Sequence, residues 1–77
     1  MARSREEIIA DMVAATLEPT RKTIIMYKAN LSYTQLQGHL NWLSNRQMIE
    51  SRKGMWVTTE RGRAYLRGYQ QITQMIT

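Results

Sequence analysis

Hydrogen-bonding side chains recur along residues 34–45 at spacings that place them on one side of an α-helix. A helix advances about 100° per residue, so the positions that face away from its apolar residues can be assigned directly. None of the six residues on that side is charged. Asparagine and glutamine amides pair with N6 and N7 of adenine, and small or hydroxyl side chains also suit base edges. We expect contacts to bases from Thr34, Gln35, Gly38, Asn41, Trp42 and Asn45.

A helix over residues 32–46 is predicted to carry these side chains. Ser32 and Gln35 have the spacing of a capping box, in which each side chain binds the backbone N–H of the other residue. Leu36, Leu40 and Leu43 recur at helical spacing and should form the side that faces a hydrophobic core.

Three residues of this helix have more than one interpretation. Gly38 lowers helix propensity by about 1 kcal/mol relative to alanine, and an outward Gly38 would let the helix approach a groove or another backbone closely. Trp42 could lie on DNA sugar-phosphate, dock on a partner or fold back onto the flank of the domain. His39 is the single histidine, and we interpret it as a polar residue at the boundary of the core.

Two helices should precede this one, over residues 4–18 and 20–28. Pro19 ends the first because proline cannot continue a helix. Asn30 suits a left-handed turn before the next helix, and Leu31 is a candidate for a short strand. Helices 20–28 and 32–46 are thus joined by a tight turn, and helix 32–46 presents its polar side.

Cations stand on both sides of this helix pair. A hairpin is predicted over residues 48–58, with Arg52 and Lys53 at its tip and Gly54 supplying an unusual φ. Such a tip has the form of a wing that touches phosphates, although an edge hairpin kept soluble by its cations has the same pattern. Likewise, Arg21 and Lys22 at a helix start could meet a phosphate or only solvent. The expected phosphate contacts are Arg21, Lys22, Lys28, Arg46, Arg52 and Lys53.

A final helix is predicted over residues 59–76. Its length is roughly 27 Å, which is more than a domain of this size can cover. Apolar residues near its end would then be exposed unless a second copy covers them, or the end would be frayed. We expect a homodimer interface formed by Tyr69, Ile72, Met75 and Ile76.

Charge and composition narrow the function classes. Residues 1–18 carry a net charge of −2 and residues 19–77 a net charge of +7, which give the overall +5. A basic surface around the helix pair implies a polyanionic partner, although charge alone also serves solubility. The chain has 77 residues and no cysteine, which predicts a single small domain, 1–77, in a reducing compartment. It has neither a membrane-spanning run nor the apolar segment of a signal peptide, so a cytoplasmic, nucleoid-associated protein is expected.

Catalysis is not expected from this sequence. With one histidine, one aspartate and no cysteine, it offers neither a multi-histidine metal site nor a nucleophile with a base, and no glycine loop to hold phosphates. We therefore expect no metal, no cofactor and no identifiable small-molecule ligand.

Several stretches of the sequence match a known pattern: K-T-I-I-M-Y-K-A-N-L-S-Y at 22–33, Leu36, Leu40, Leu43, M-I-E at 48–50 and T-E-R-G at 59–62. Through them the chain resembles the small archaeal winged-helix DNA-binding proteins, which include transcriptional regulators and a chromatin-associated member. The resemblance implies duplex DNA binding, with helix 32–46 in the major groove, the wing alongside it and a homodimer formed through the last helix. Gln47 stands where these proteins usually have glycine, so we expect a left-handed Gln47 at a cost of about 1 kcal/mol.

The predicted fold is mainly α with a small β-hairpin (α+β), a winged helix-turn-helix with a C-terminal helix extension. The predicted function is a non-enzymatic duplex DNA-binding regulator of transcription. The alternative is a protein-interaction module, the adaptor subunit of a transcription or processing assembly, that uses the Trp42 face and the last helix. Cations around helix 32–46 and the wing would favour DNA, whereas cations behind the first helix would favour the adaptor. RNA binding is a weaker third possibility, because no pair of aromatic residues lies on an open sheet.

Overall fold

The computed structural model describes residues 3–76. Three helices are followed by a two-stranded antiparallel hairpin and a fourth helix, so the predicted winged helix-turn-helix with a C-terminal helix is confirmed. The elements are α1 (Arg5–Ala15), α2 (Lys22–Lys28), α3 (Tyr33–Asn45), β1 (Ile49–Arg52), β2 (Met55–Thr58) and α4 (Glu60–Ile76).

One hydrophobic core lies among the helices and the base of the hairpin. Met12 and Val13 of α1, Ile25 of α2 and Leu36 of α3 are completely buried in it. Burying side chains of this size contributes about 1.5–3 kcal/mol each, so the core fixes how the helices cross. The other buried hydrophobic residues are Ile9, Ala10, Ala29, Leu31, Leu40, Leu43, Met48, Ile49 and Leu66.

The first helix ends at Ala15, three residues earlier than expected. Thr16 stops it: its hydroxyl donates to Met12 O at 2.9 Å and Val13 O at 3.2 Å. Its own carbonyl accepts a 2.7 Å hydrogen bond from the backbone N–H of Thr58, so it is no longer available to a helix. Pairing with β2 therefore overrides the helical pattern that runs on toward Pro19.

The second helix begins at Lys22 rather than at residue 20. Thr20 and Trp56 form an isolated antiparallel bridge with two reciprocal backbone hydrogen bonds of 2.8 Å. This bridge requires extended backbone at Thr20 and so excludes helix there. The hairpin is thus joined by a single bridge residue, Thr20, and among residues 3–76 it gains no third strand. Leu31, the expected candidate for a short strand, is instead buried beside α3 with its N–H bonded to Met26 O at 3.0 Å.

Left-handed backbone occurs where the two turns need it. Asn30 has a φ of 54° between α2 and α3, and Gln47 has a φ of 58° after α3, which confirms both expectations. The Gln47 carbonyl accepts a 2.6 Å hydrogen bond from the Thr59 hydroxyl, and Thr59 Oγ1 in turn accepts from the N–H of Gly62 at 3.2 Å. The end of α3 is thereby joined to the start of α4.

The fourth helix is held against the domain along its first half. Gly62 is buried there, and a Cβ atom at this position would overlap the Thr58 hydroxyl and the Met48 carbonyl. Tyr65 donates from its hydroxyl to Glu6 O of α1 at 3.0 Å, and Leu66 enters the core. From residue 70 to residue 76 every residue of α4 is exposed.

Candidate nucleic-acid interface

The third helix is fixed from beneath and at its start. Leu36, Leu40 and Leu43 are all buried. The predicted capping box is present: Ser32 N–H donates to Gln35 Oε1 at 2.9 Å, and Gln35 N–H donates to Ser32 Oγ at 3.2 Å. The helix therefore offers its opposite side to solvent on a rigid support.

The outer side of α3 is exposed as its spacing predicts. Thr34, Gly38, Asn41 and Asn45 are all exposed, and within residues 3–76 none of their side chains makes a hydrogen bond. A methyl group added at Gly38 would meet no atom within 4 Å, so this glycine serves no internal packing. Gln35 is exposed too, but its amide oxygen is already held by the cap, which makes it less suited to a two-point contact with adenine.

Trp42 is engaged by the chain itself. It is half-buried and packs against the core, and the guanidinium carbons of Arg5 and Arg46 lie 4.4 Å and 4.0 Å from its ring centroid. Cation–π attraction of this kind holds the indole on the flank of the domain. This geometry favours the flank alternative for Trp42, and a contact between its ring and bases stays a prediction.

His39 lies on the same flank as Trp42. Partial burial, and to a lesser degree the positive charge of Arg5, lower the pKa of His39 from its ordinary value of 6.5. The imidazole is thus neutral at pH 7 and adds no positive charge to this side of α3. Its half-buried position agrees with a boundary residue.

The wing is a short hairpin with a two-residue loop. Arg52 pairs with Met55 across the strands, and the loop residues Lys53 and Gly54 both have positive φ, 51° and 79°. Positive φ at both loop positions matches the twist of paired strands, so the loop holds the Lys53 backbone in a fixed position. Arg52 forms a 2.7 Å ion pair with Glu50 and contributes less net charge than its position suggests.

An open groove of about 560 Å³ separates the wing tip from the start of α2. Three cations of the predicted phosphate set, Arg21, Lys22 and Lys53, line it. No ion pair involving them is found in the part of the chain that the structure describes. The structure thus brings together cations from two parts of the sequence that the spacing alone could not join.

Two other members of the phosphate set lie elsewhere. Lys28 borders a separate hollow with Asp11, Ala14 and Ala15 of α1, away from the wing groove. Arg46 caps the C-terminal end of α3 and stacks on Trp42. The expected set therefore divides into a group at the wing, a cation at the end of α3 and an outlying lysine.

Arg5 is the residue that the sequence did not single out. It lies at the first position of α1 and reaches Trp42, which is distant in sequence, only because the helices pack. No local pattern signals this contact. Arginine near a helix N-terminus is electrostatically unfavourable, and that departure from the usual preference is the one hint the sequence contains.

The expected dimer residues differ in exposure. Tyr69 is half-buried and stacks on Tyr65 with ring centroids 6.4 Å apart. Ile72, Met75 and Ile76 are 61%, 86% and 79% exposed. An apolar hollow of about 320 Å³ lies beside them, lined by Glu6, Ala64, Tyr65, Gly68, Tyr69 and Ile72.

Other types of site are not found in the described residues. Residues 3–76 contain no cluster of histidine, cysteine or carboxylate side chains that could hold a metal ion. Over the same residues, every helix is too short or too polar to cross a membrane.

Comparison with known proteins agrees with this architecture. A family model described as winged helix-turn-helix matches residues 2–77. Among solved structures, the DNA-binding protein Sso10a-2 from Sulfolobus solfataricus superimposes with a TM-score of 0.82 at 19% identity, covering 95% of this chain and 81% of that one. At that identity the likeness concerns the fold. A comparison with curated proteins gives no match.

Proposed function

The chain belongs to the winged helix-turn-helix family, and we propose that it is a non-enzymatic protein that binds duplex DNA and regulates transcription. Its site of action would then be the nucleoid in the cytoplasm. The solved structure that it resembles in fold is that of a DNA-binding protein.

One observation carries the proposal: an exposed, uncharged helix face stands on the same domain as a groove of unpaired cations. Thr34, Asn41 and Asn45 have side chains without internal hydrogen bonds among residues 3–76, and an amide can form two hydrogen bonds with adenine in the major groove. Exposed Gly38 would permit close approach of the α3 backbone to the groove floor.

The wing groove supports the backbone part of the proposal. Arg21, Lys22 and Lys53 line one open groove, and phosphate contacts of this kind supply most of the affinity that does not depend on sequence. In this scheme the cations orient the protein and the amides of α3 select the sequence.

The position of the cations also favours DNA over the adaptor alternative. Cations behind α1 would favour a protein partner. Seven cations among the described residues have no ion pair, and four of them lie in the wing groove or, like Arg46, at the end of α3. The others are Arg5, Arg61 and Lys28, of which Lys28 borders the hollow beside α1. The Trp42 face required by the adaptor is covered by two arginines.

The test compares a groove lysine with an outer-face amide on duplexes selected from a random pool. Lys53→Ala should weaken binding to all duplexes about equally and reduce the slope of log K against log salt by about 1, because one fewer counterion is released. Asn41→Ala should cost about 2 kcal/mol on the selected sequence and little on random DNA.

Lys28→Ala is the matched control, since it removes the same charge at a hollow beside α1. It should change the salt slope less than Lys53→Ala does. Equal effects of Asn41→Ala on selected and random duplexes would remove the base-reading role of α3, and absence of binding at low salt would remove the DNA-binding role altogether.

We further propose that two copies associate through the C-terminal half of α4. The exposed apolar side chains of Ile72 and Ile76 continue the row of the partly buried Tyr65 and Tyr69, and a two-fold pairing would cover this row. Light scattering should give a dimeric mass for the natural chain and a monomeric mass for Ile72→Glu. Gln74→Glu, on the other side of the same helix, should remain dimeric, and a monomeric natural chain at high micromolar concentration would refute the pairing.

A further inference from the structure

A second cationic site lies at the C-terminal end of α3, apart from the wing groove. It consists of Arg5 from the start of α1, Trp42 on the flank of α3 and Arg46 at its cap. Both guanidinium carbons lie within 4.4 Å of the centroid of the same indole ring. Two elements distant in sequence thus bring two positive charges onto one aromatic group.

Stacking on the indole prepares the two arginines to bind an anion. A guanidinium carries five N–H donors in its plane. Among residues 3–76 neither Arg5 nor Arg46 donates a side-chain hydrogen bond, so these donors are free to bind a ligand while the ring holds each guanidinium. The long side chain is already ordered by the ring, so less conformational entropy is lost when a ligand binds. Both arginines are exposed to solvent.

The charges at this site are not neutralised within the domain. Arg3 is paired with Asp11, and Arg63 and Arg67 are paired with Glu60. Arg5 and Arg46 have no such carboxylate in the part of the chain that is described, even though they share one ring. Among residues 3–76, both positive charges thus lie beside one ring without a counter-charge, and a polyanionic ligand bound there would supply it.

The neighbourhood indicates which anion fits. Asn45 adjoins Arg46 in the chain and is exposed on the outer face of α3. A ligand that lies along that face therefore reaches Arg46 at its end without leaving the helix. Planar guanidinium groups match the two unesterified oxygens of a phosphodiester.

We infer that Arg5 and Arg46, stacked on Trp42, form a second phosphate contact that grips the DNA backbone at the end of α3, separate from the contact at the wing. This inference rests on the proposed function, because the phosphate belongs to the duplex whose bases the outer face of α3 contacts. It assigns to Arg5 a role in binding that its position at the start of α1 does not suggest.

The experiment measures duplex binding by the full chain over a range of salt concentrations, using fluorescence anisotropy. Arg5→Gln and Arg46→Gln should each reduce the magnitude of the salt slope, and the double variant, which removes the whole contact with one phosphate, should reduce it by about 0.9. Affinity for selected and random duplexes should fall by the same factor. Arg61→Gln, which removes an exposed arginine at the start of α4, should leave the slope closer to that of the natural chain.

A second measurement locates the phosphate. Each duplex in this series carries one neutral methylphosphonate linkage at a different position. At some positions the neutral linkage should lower the affinity of the natural chain but not that of the Arg5→Gln, Arg46→Gln double variant. These positions should differ from those at which a neutral linkage no longer lowers the affinity of Lys53→Ala. Circular dichroism verifies that the variants are folded. If the glutamine variants unfold, Arg5→Lys and Arg46→Lys take their place. These should keep the salt slope of the natural chain but bind the duplex several-fold more weakly.

The outcomes separate the two proposals. If Lys53→Ala lowers the salt slope while the arginine variants behave like Arg61→Gln, the second contact is refuted and DNA binding stands. If Arg5→Lys and Arg46→Lys both bind the duplex with the affinity of the natural chain, the second contact is refuted as well. If the natural chain binds no duplex at low salt, the proposed function falls and the second contact falls with it.

Discussion

Helices α3 and α4 carry comparable apolar rows, yet only one of the two rows is covered along its length. In α3 the row of Leu36, Leu40 and Leu43 is buried from the first turn to the last. In α4 burial ends at Leu66, and Ile72 and Ile76 remain exposed. Periodicity therefore tells which side of a helix is apolar, whereas the surrounding chain decides how much of that side is buried.

The two helices also expose different chemistry. The open side of α3 is polar and uncharged and needs no partner to be compatible with water, so its composition indicates a selective contact. The open end of α4 is apolar, and water contact there is unfavourable. This difference is the basis for the two proposals above, a duplex for the open side of α3 and a second copy of the chain for the end of α4.

The largest effect that would test this contrast is expected within α4, from two glycines. Gly62→Ala should destabilise the fold by about 3 kcal/mol, because the new methyl overlaps the Met48 carbonyl and the Thr58 hydroxyl. Gly68→Ala has open space and should stabilise the helix by up to about 1 kcal/mol. Urea unfolding curves measure both changes, and equal effects would mean that α4 is not anchored at Gly62.

A smaller effect is expected from two apolar residues of α4, one in its buried first half and one in its exposed second half. Leu66→Ala should cost about 2–3 kcal/mol, since it removes a buried side chain. Ile72→Ala should cost less than about 0.5 kcal/mol in the monomer, because Ile72 is exposed. Chemical denaturation at low protein concentration makes the comparison, and a large loss for Ile72→Ala would show that the second half of α4 is packed after all.

The start of α3 provides a third test. Ser32→Ala removes one half of the capping box and should cost about 1 kcal/mol. Ser44→Ala, at an exposed position in the last turn, is the matched control and should lie within about 0.5 kcal/mol of the natural chain. If thermal unfolding does not distinguish the two variants, the cap does not hold the helix.

The smallest effect should appear in the pH dependence of stability. Because the pKa of His39 is lowered in the folded chain, the unfolded chain binds the proton more tightly. The stabilisation associated with neutral His39 is thus complete above pH 6.5 and is lost as the pH falls below that value. Melting temperatures between pH 7.5 and pH 5.5 should decrease for the natural chain and change less for His39→Gln; a flat profile for both would contradict the cause assigned.

Local sequence patterns predicted most of the architecture. The capping box, the leucine row and the left-handed Asn30 depend on neighbouring residues, and all are present. The left-handed Gln47, expected from the family resemblance, is present as well. The predicted end of α1 and the predicted start of α2 were wrong, because non-local hydrogen bonds set both. Thr58 donates to the carbonyl of Thr16, and Thr20 pairs with Trp56. No periodicity in the sequence encodes such bonds.

The candidate interface divides in the same way. The exposed face of α3 follows from helical spacing alone, and its role in reading bases remains a prediction. The cover over Trp42 depends on Arg5, which helix packing brings to it. Likewise, the groove that unites Arg21 with Lys53 exists only in the folded chain.

The bridge between Thr20 and Trp56 has a consequence for how this surface can change over time. It joins the residue just before Arg21 to the strand just after the wing loop through main-chain atoms alone. The distance between Arg21 and Lys22 on one side of the groove and Lys53 on the other is thus set by the backbone. Substitution of the side chains on either side of the groove would therefore leave its width unchanged. If the groove binds phosphates as proposed, its affinity can change during evolution while its width is conserved.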